Sequence, residues 1–205
     1  MVARPVSATI GRPAMEHRHA SKEASRIAAL ASRIDRPIVL VGMMGVGKSS
    51  VGKRLAGLLG FAFVDADDEI EAAAQMSIPE IFETHGEDYF RDGERRVIAR
   101  LMGDGADHCV IATGGGAFCN ERTREDILEH GIAIWLDSDV DTLVERTARK
   151  NNRPLLQNGD RREIITRLRD ERQVHYSKAP IHVMSGNGPH GDTLDKILEG
   201  IEAWL

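Results

Sequence analysis

Five short apolar runs punctuate the chain: PIVLV (37–41), FAFVD (61–65), CVIAT (109–113), IAIWL (132–136) and IHVM (181–184). Each is rich in Val, Ile or Phe and does not alternate with charges, the pattern of strands buried on both faces of a parallel sheet. Segments with helical spacing separate them, over roughly 48–60, 78–103, 121–130, 139–149, 161–178 and 192–204. Repeated strand–helix units of this size predict an α/β fold, a doubly wound parallel sheet flanked by helices. Upstream, Ile27, Leu30, Ala31 and Ile34 recur at helical spacing behind a possible Ser21 cap, which predicts an amphipathic extension helix over 21–35 outside the main domain.

The first 20 residues break the pattern. MVARPVSATIGRPAM holds two arginines, two prolines and no acid before Glu16, which suits a disordered tail or, as the lesser reading, an organelle transit peptide. The expected organisation is therefore a tail at 1–20, the helix at 21–35 and one main domain at 36–205. A chain of 205 residues has room for such a core. Its 41% apolar and 29% charged residues are those of an ordinary globular protein, and a net charge of −5 disfavours extended nucleic-acid binding. No apolar run approaches the ~20 residues needed to span a bilayer. Cys109 and Cys119 lack metal-like spacing, so inert thiols in a reducing, cytoplasmic setting are expected.

Chemistry enters at RPIVLVGMMGVGKSSVGKRLA (36–56), where a strand, a glycine turn and a helix start follow one another. Gly42 to Ser49 matches G-x-x-x-x-G-K-[ST]. Glycines let backbone N–H groups curl round phosphate oxygens, and the positive end of the next helix points at them. Lys48 would reach the terminal phosphates, and the Ser49 hydroxyl could ligate Mg²⁺. The nucleotide-binding candidates are Gly45, Val46, Gly47, Lys48, Ser49 and Ser50. Downstream, FVDADDEIE puts Asp65 and Asp67 two apart. One could complete Mg²⁺ ligation near Ser49, and the other could hold an acceptor hydroxyl and take its proton. Capping of the next helix by Asp67 or Asp68 is compatible with this.

Two further features bear on the acceptor. Gly114, Gly115 and Gly116 follow a buried strand, where crevices form beyond the carboxyl ends of parallel strands. Arg91 and Arg172, from distant helices, could fork a carboxylate or could serve as surface ion pairs. The arginine-rich interval 146–162, with a single acid and Asn-Asn, Pro and Asn-Gly breakers, predicts a loop between two helices.

GMMGVGKSSVGKRLA, FVDADDEIE, IFETHGEDYFR, TGGGA, RPLL and ER-x-x-x-Y fall in the order and spacing of shikimate kinases, and the resemblance covers about residues 37–185. It implies a three-layer P-loop kinase fold with five parallel strands in order 2-3-1-4-5, and transfer of the γ-phosphoryl of ATP to the 3-hydroxyl of shikimate. Asp65 and Ser49 are then the magnesium-side ligands and Asp67 holds the acceptor hydroxyl. Arg91 and Arg172 become the carboxylate clamp, with Gly114, Gly115 and Gly116 beside the ring. Arg153 becomes the lid arginine closing on the phosphates, and Arg146 flanks adenine. A substrate-binding segment at about 66–95 and a lid at about 146–162 follow, in a monomer that binds neither nucleic acid nor membrane. The chain departs from the family where Val174-His175 precedes Tyr176 in place of the common Pro-Leu.

Three other functions would require different residues. A gluconate or nucleoside-monophosphate kinase gives no reason for an arginine fork beside a glycine triplet. A GTPase switch should carry an N-K-x-D-like guanine reader, which is absent from the sequence. A non-catalytic nucleotide-gated interaction protein should tolerate loss of Lys48 or Asp67.

Overall fold

The computed structural model describes residues 13–103, 105–148, 159–186 and 190–205. Its centre is a five-stranded, wholly parallel sheet. The strands are β1 (Ile38–Val41), β2 (Ala62–Asp65), β3 (Cys109–Ala112), β4 (Ile132–Asp137) and β5 (Ile181–Met184), in spatial order β2-β3-β1-β4-β5. Ile38 pairs with Val110 on one side and Ile132 on the other, which places β1 in the middle. All residues of β1 and β4 are buried, as the unbroken apolar runs require. The edges depart from expectation. β5 alternates buried and exposed residues, and Ala62 of β2 is exposed. An edge strand has a neighbour on one side only, so its outward residues lose cover that central strands keep.

Among the described residues the helices are α1 (Pro13–Ala31), α2 (Lys48–Leu59), α3 (Ala66–Ala74), α4 (Ile78–Leu101), α5 (Glu121–His130), α6 (Val140–Ala148), α7 (Arg161–Tyr176) and α8 (His190–Trp204), with a 3₁₀ turn at Ala117–Cys119 before α5. Two helical expectations change. The extension helix begins at Pro13 and ends at Ala31, so Ser21 lies inside it and caps nothing. Its last turn does not lie outside the main domain either: Leu30, and Ile34 just beyond, are buried in the central core, where apolar side chains lose most water contact. The long helix expected at 78–103 is broken at Gly86, whose φ of 83° and ψ of 176° are not helical. It starts at a capping box in which Ser77 and Glu80 satisfy each other's backbone donors.

A second, smaller core lies under α3 and α4. Ile70, Ile81, Phe90 and Val97 are buried there, and the rings of Phe82 and Phe90 meet with centroids 4.7 Å apart. Among the described residues no helix is long and apolar enough to cross a membrane.

Candidate active site

The site forms at the carboxyl ends of β1, β2 and β3. The loop after β1 turns at Gly42 with φ of 133°, and a Cβ there would sit 2.2 Å from the Leu136 carbonyl oxygen. Only glycine fits this approach to β4. Lys48 opens α2, and its Nζ donates to the carbonyls of Gly42 (2.8 Å) and Met43 (3.0 Å), bridging the arms of the loop. Gly45, Val46 and Gly47 form its crest. Arg146 of α6 donates to the Val46 carbonyl and to Gly186 beyond β5, 3.0 Å in each case, so it spans the crest where the sequence expected it beside a nucleotide. Ser49 and Ser50 are exposed in the first turn of α2, at its positive end.

Asp65 ends β2 and does two things. Its Oδ2 accepts from the Ser49 hydroxyl at 2.6 Å, and its Oδ1 accepts from the Asp67 backbone N–H at 3.2 Å. The cap of α3 is therefore Asp65, not Asp67 or Asp68. An Asp one residue before the first helical residue is correctly placed for that bond, and Asp67 already lies within the first turn. Asp67 is thereby released from capping, with its carboxylate turned to the glycine triplet.

The triplet is where the other candidates meet. A Cβ at Gly114 would lie 2.5 Å from Glu94 Oε1 and 3.0 Å from Asp67 Oδ1. At Gly115 it would lie 3.1 Å from the Met44 backbone nitrogen and 3.7 Å from Arg172 Nη1. At Gly116 it would lie 2.7 Å from both Nη1 and Nη2 of Arg91. Three bare backbone positions thus bring two carboxylates, two guanidinium groups and the phosphate loop to one point. Arg172 Nη1 donates to the Gly115 carbonyl at 3.2 Å, and the buried Tyr176 hydroxyl donates to the same oxygen. Burial pushes the Tyr176 phenol up, so it stays a donor.

Glu94 was missed by the sequence reading. It is 2% exposed, and its Oε2 accepts from Arg91 Nη1 at 2.7 Å while Glu87 holds the other side of that guanidinium at 3.1 Å. Burial works against the Arg91 cation, yet Glu94 and Glu87 outweigh it and raise its pKa. Burial also pushes the Glu94 carboxyl up, against the pull of Arg91. The second oxygen, Oε1, is buried without a hydrogen-bond partner and faces the triplet. A glutamate within the mixed-charge run RDGERR gives no pattern that marks it; its spacing of three from Arg91 is the only signal.

Ser49 and Asp65 offer two hard oxygens side by side, and no cluster of three or more His, Cys, Asp or Glu forms a metal cage among the described residues. That donor set fits Mg²⁺, which takes one or two protein oxygens and completes its shell with water and phosphate.

A family model described as shikimate kinase matches residues 44–202. The chain belongs to the shikimate kinase family. A shikimate kinase from Novosphingobium aromaticivorans is 64% identical over 193 residues, 93% of this chain and 100% of that protein. One from Bradyrhizobium diazoefficiens is 51% identical over 91% of this chain and 87% of its own. Among solved structures, a shikimate kinase from Acinetobacter baumannii in complex with shikimate superposes with a TM-score of 0.79 at 37% identity, covering 84% of this chain and 97% of that one. A gluconokinase from Sinorhizobium meliloti, at 15% identity and a TM-score of 0.53, shares the fold alone. Of the positions expected from the family pattern, Arg153 and residues 149–158 of the lid lie outside the described residues.

Proposed function

We propose that the chain transfers the γ-phosphoryl group of ATP to the 3-hydroxyl of shikimate. The observation that carries the reading is the convergence of Asp67, Arg91 and Arg172 on Gly114–Gly116, one loop away from Lys48. Phosphoryl transfer needs positioning and charge neutralisation more than covalent help. Lys48 and the loop N–H groups would hold the phosphates, with Arg153 of the lid completing the neutralisation and Arg146 placing the nucleotide. Arg91 and Arg172 would take the substrate carboxylate between them. Asp67 would orient the attacking hydroxyl and accept its proton. Mg²⁺, held through Ser49 and Asp65, would supply Lewis-acid screening of phosphate charge. The A. baumannii complex supports the small-molecule assignment by likeness.

The accompanying organisation is a catalytic unit at 36–205, with the acceptor segment at about 66–95, working as a cytoplasmic monomer. The free thiols Cys109 and Cys119, both pushed up by burial, suit a reducing compartment. The deciding experiment is an ADP-release assay with ATP and Mg²⁺, run with shikimate, with gluconate and with neither. Turnover that needs shikimate supports the reading, and equal turnover with gluconate or with no acceptor overturns it. In the same assay Arg91→Ala or Arg172→Ala should raise the shikimate KM by ~2–5 kcal/mol in binding terms and leave the ATP KM nearly unchanged.

A further inference from the structure

Four residues of α7 bond neighbouring elements. Arg169 Nη2 donates to the buried Asp137 at the end of β4 (3.1 Å), Arg172 and Tyr176 bond the Gly115 carbonyl, and His175 meets Arg124 of α5. The last contact differs in kind. Arg124 is 5% exposed, and its hydrogen bonds among the described residues go to the carbonyls of Phe118 and Cys119, 3.2 Å each, and to His175 Nδ1 at 3.3 Å. None of these partners is a carboxylate. All three contacts use Nη1, which carries two hydrogens, so one hydrogen is shared; a guanidinium can only donate, so the contact to His175 is a hydrogen bond in the tautomer with a lone pair on Nδ1 and the proton on Nε2.

We propose that His175 is a positioning residue for the substrate carboxylate: as a neutral imidazole it fastens α7, through Arg124, to the turn that follows the glycine triplet, and its protonation releases the fastening. Arg172 lies one turn before His175 on α7, and Arg124 grips the carbonyls of Phe118 and Cys119 just after Gly116. The His175–Arg124 contact therefore ties α7, which carries Arg172, to the turn that follows Gly116, beside which the Arg91 guanidinium lies. A protonated ring would lose the acceptor and set a second positive charge against a buried cation that has no carboxylate partner among the described residues.

The charged groups acting on His175 are Arg124 from α5 and Lys178 just beyond α7; the 3₁₀ turn contributes only carbonyls and the Cys119 thiol, and Glu171, a turn earlier, pairs with Arg167. Burial first, then Arg124 and Lys178, hold His175 below the ordinary imidazole value of 6.5. The sign follows. An unfolded chain takes up the proton before the folded one, so the contact's contribution is full above 6.5 and falls as pH drops through the lower folded value.

The inference rests on the reading of Arg172 as a carboxylate clamp, and Arg172→Ala tests that separately through the shikimate KM. For His175 the experiment is steady-state kinetics of the full chain from about pH 5 to pH 8, for the wild type, His175→Gln and His175→Leu. In the wild type the shikimate KM should rise about tenfold at the acid end, the size of one weakened hydrogen bond to a charged group. kcat and the ATP KM should not follow that rise. His175→Gln, whose amide oxygen accepts without titrating, should keep the high-pH KM and lose the acid rise. His175→Leu should show the raised KM at every pH. An acid rise of the same size in His175→Gln, or an unchanged KM in His175→Leu, overturns the proposal. A direct reading independent of folding is the imidazole nitrogen NMR of the wild type, with the resonance assigned by its loss in either variant. Nε2–H with titration below 6.5 supports the contact, and Nδ1–H or titration at or above 6.5 overturns it.

Discussion

The phosphate loop rises from β1, whose four residues are fully buried between β3 and β4, whereas the helix bearing Arg91 rests on the satellite core of Ile70, Ile81, Phe90 and Val97. The loop is fixed by backbone: Gly42 against the Leu136 carbonyl and Lys48 across the carbonyls of Gly42 and Met43. The acceptor side is fixed by side chains: Glu94 and Glu87 on Arg91, and the Arg91 guanidinium 5.0 Å over the Phe90 ring. The proposed nucleotide half is thus built into the main sheet, and the proposed acceptor half is a smaller unit leaning on it. Truncating the buried strand residues beneath the first should spread through the fold, and truncating the core beneath the second should stay with one substrate.

The largest effect that tests this contrast is expected at Asp67, where the halves meet. Asp67→Asn keeps size and much hydrogen bonding but removes the charge and the proton acceptor, so kcat should fall by about 10²–10⁴. Nucleotide affinity, read by fluorescence titration, should hardly change. Retained kcat would leave Asp67 with no catalytic part. Next in size is Lys48→Met. Turnover should drop ~10²–10³ in a chain whose circular dichroism is unchanged, since removing one stabiliser of transferring charge costs about that much. Near-native turnover there would remove the loop from the chemistry.

A packing variant sharpens the comparison. Ile81→Ala should cost about 2–3 kcal/mol in urea unfolding, near the low end for such truncations because the satellite core is small. Its shikimate KM should rise while its ATP KM holds. Equal rises in both would show that the two cores act as one. The smallest effect is expected from removing residues 1–20. Activity should stay within about twofold: the cut falls within α1, and among the described residues the side chains that join the core from this end, Ile27, Leu30, Ala31 and Ile34, lie beyond it. A large fall at unchanged melting temperature would give the tail a role in turnover.

The central strands were legible because residues buried on both faces must be apolar without interruption, and PIVLV and IAIWL are. The loop at Gly42–Ser49 and the triplet at Gly114–Gly116 were legible because only glycine permits such approaches. What escaped was set by tertiary partners. Glu94 looks like any surface glutamate until Arg91 and the triplet close round it. The N-cap is Asp65 rather than Asp67 or Asp68 because three acids stand within four residues and only the strand's end decides among them. Gly86 interrupts α4 within a run whose composition is helical on both sides. The exposed faces of β2 and β5 follow from sheet order, which local pattern does not carry.

Asp65 carries a thermodynamic consequence. Its two oxygens tie Ser49, on the nucleotide side, to the backbone of Asp67, on the acceptor side. A ligand that draws the Ser49 hydroxyl away from Asp65 alters the charge and position of a carboxylate that also sets the first turn of α3. Free energy spent or released at one end must then appear at the other. Linkage makes the exchange reciprocal, so whatever factor ATP imposes on the dissociation constant of the acceptor, the acceptor imposes on that of ATP. One short side chain makes the two affinities a single joint property of the ternary complex.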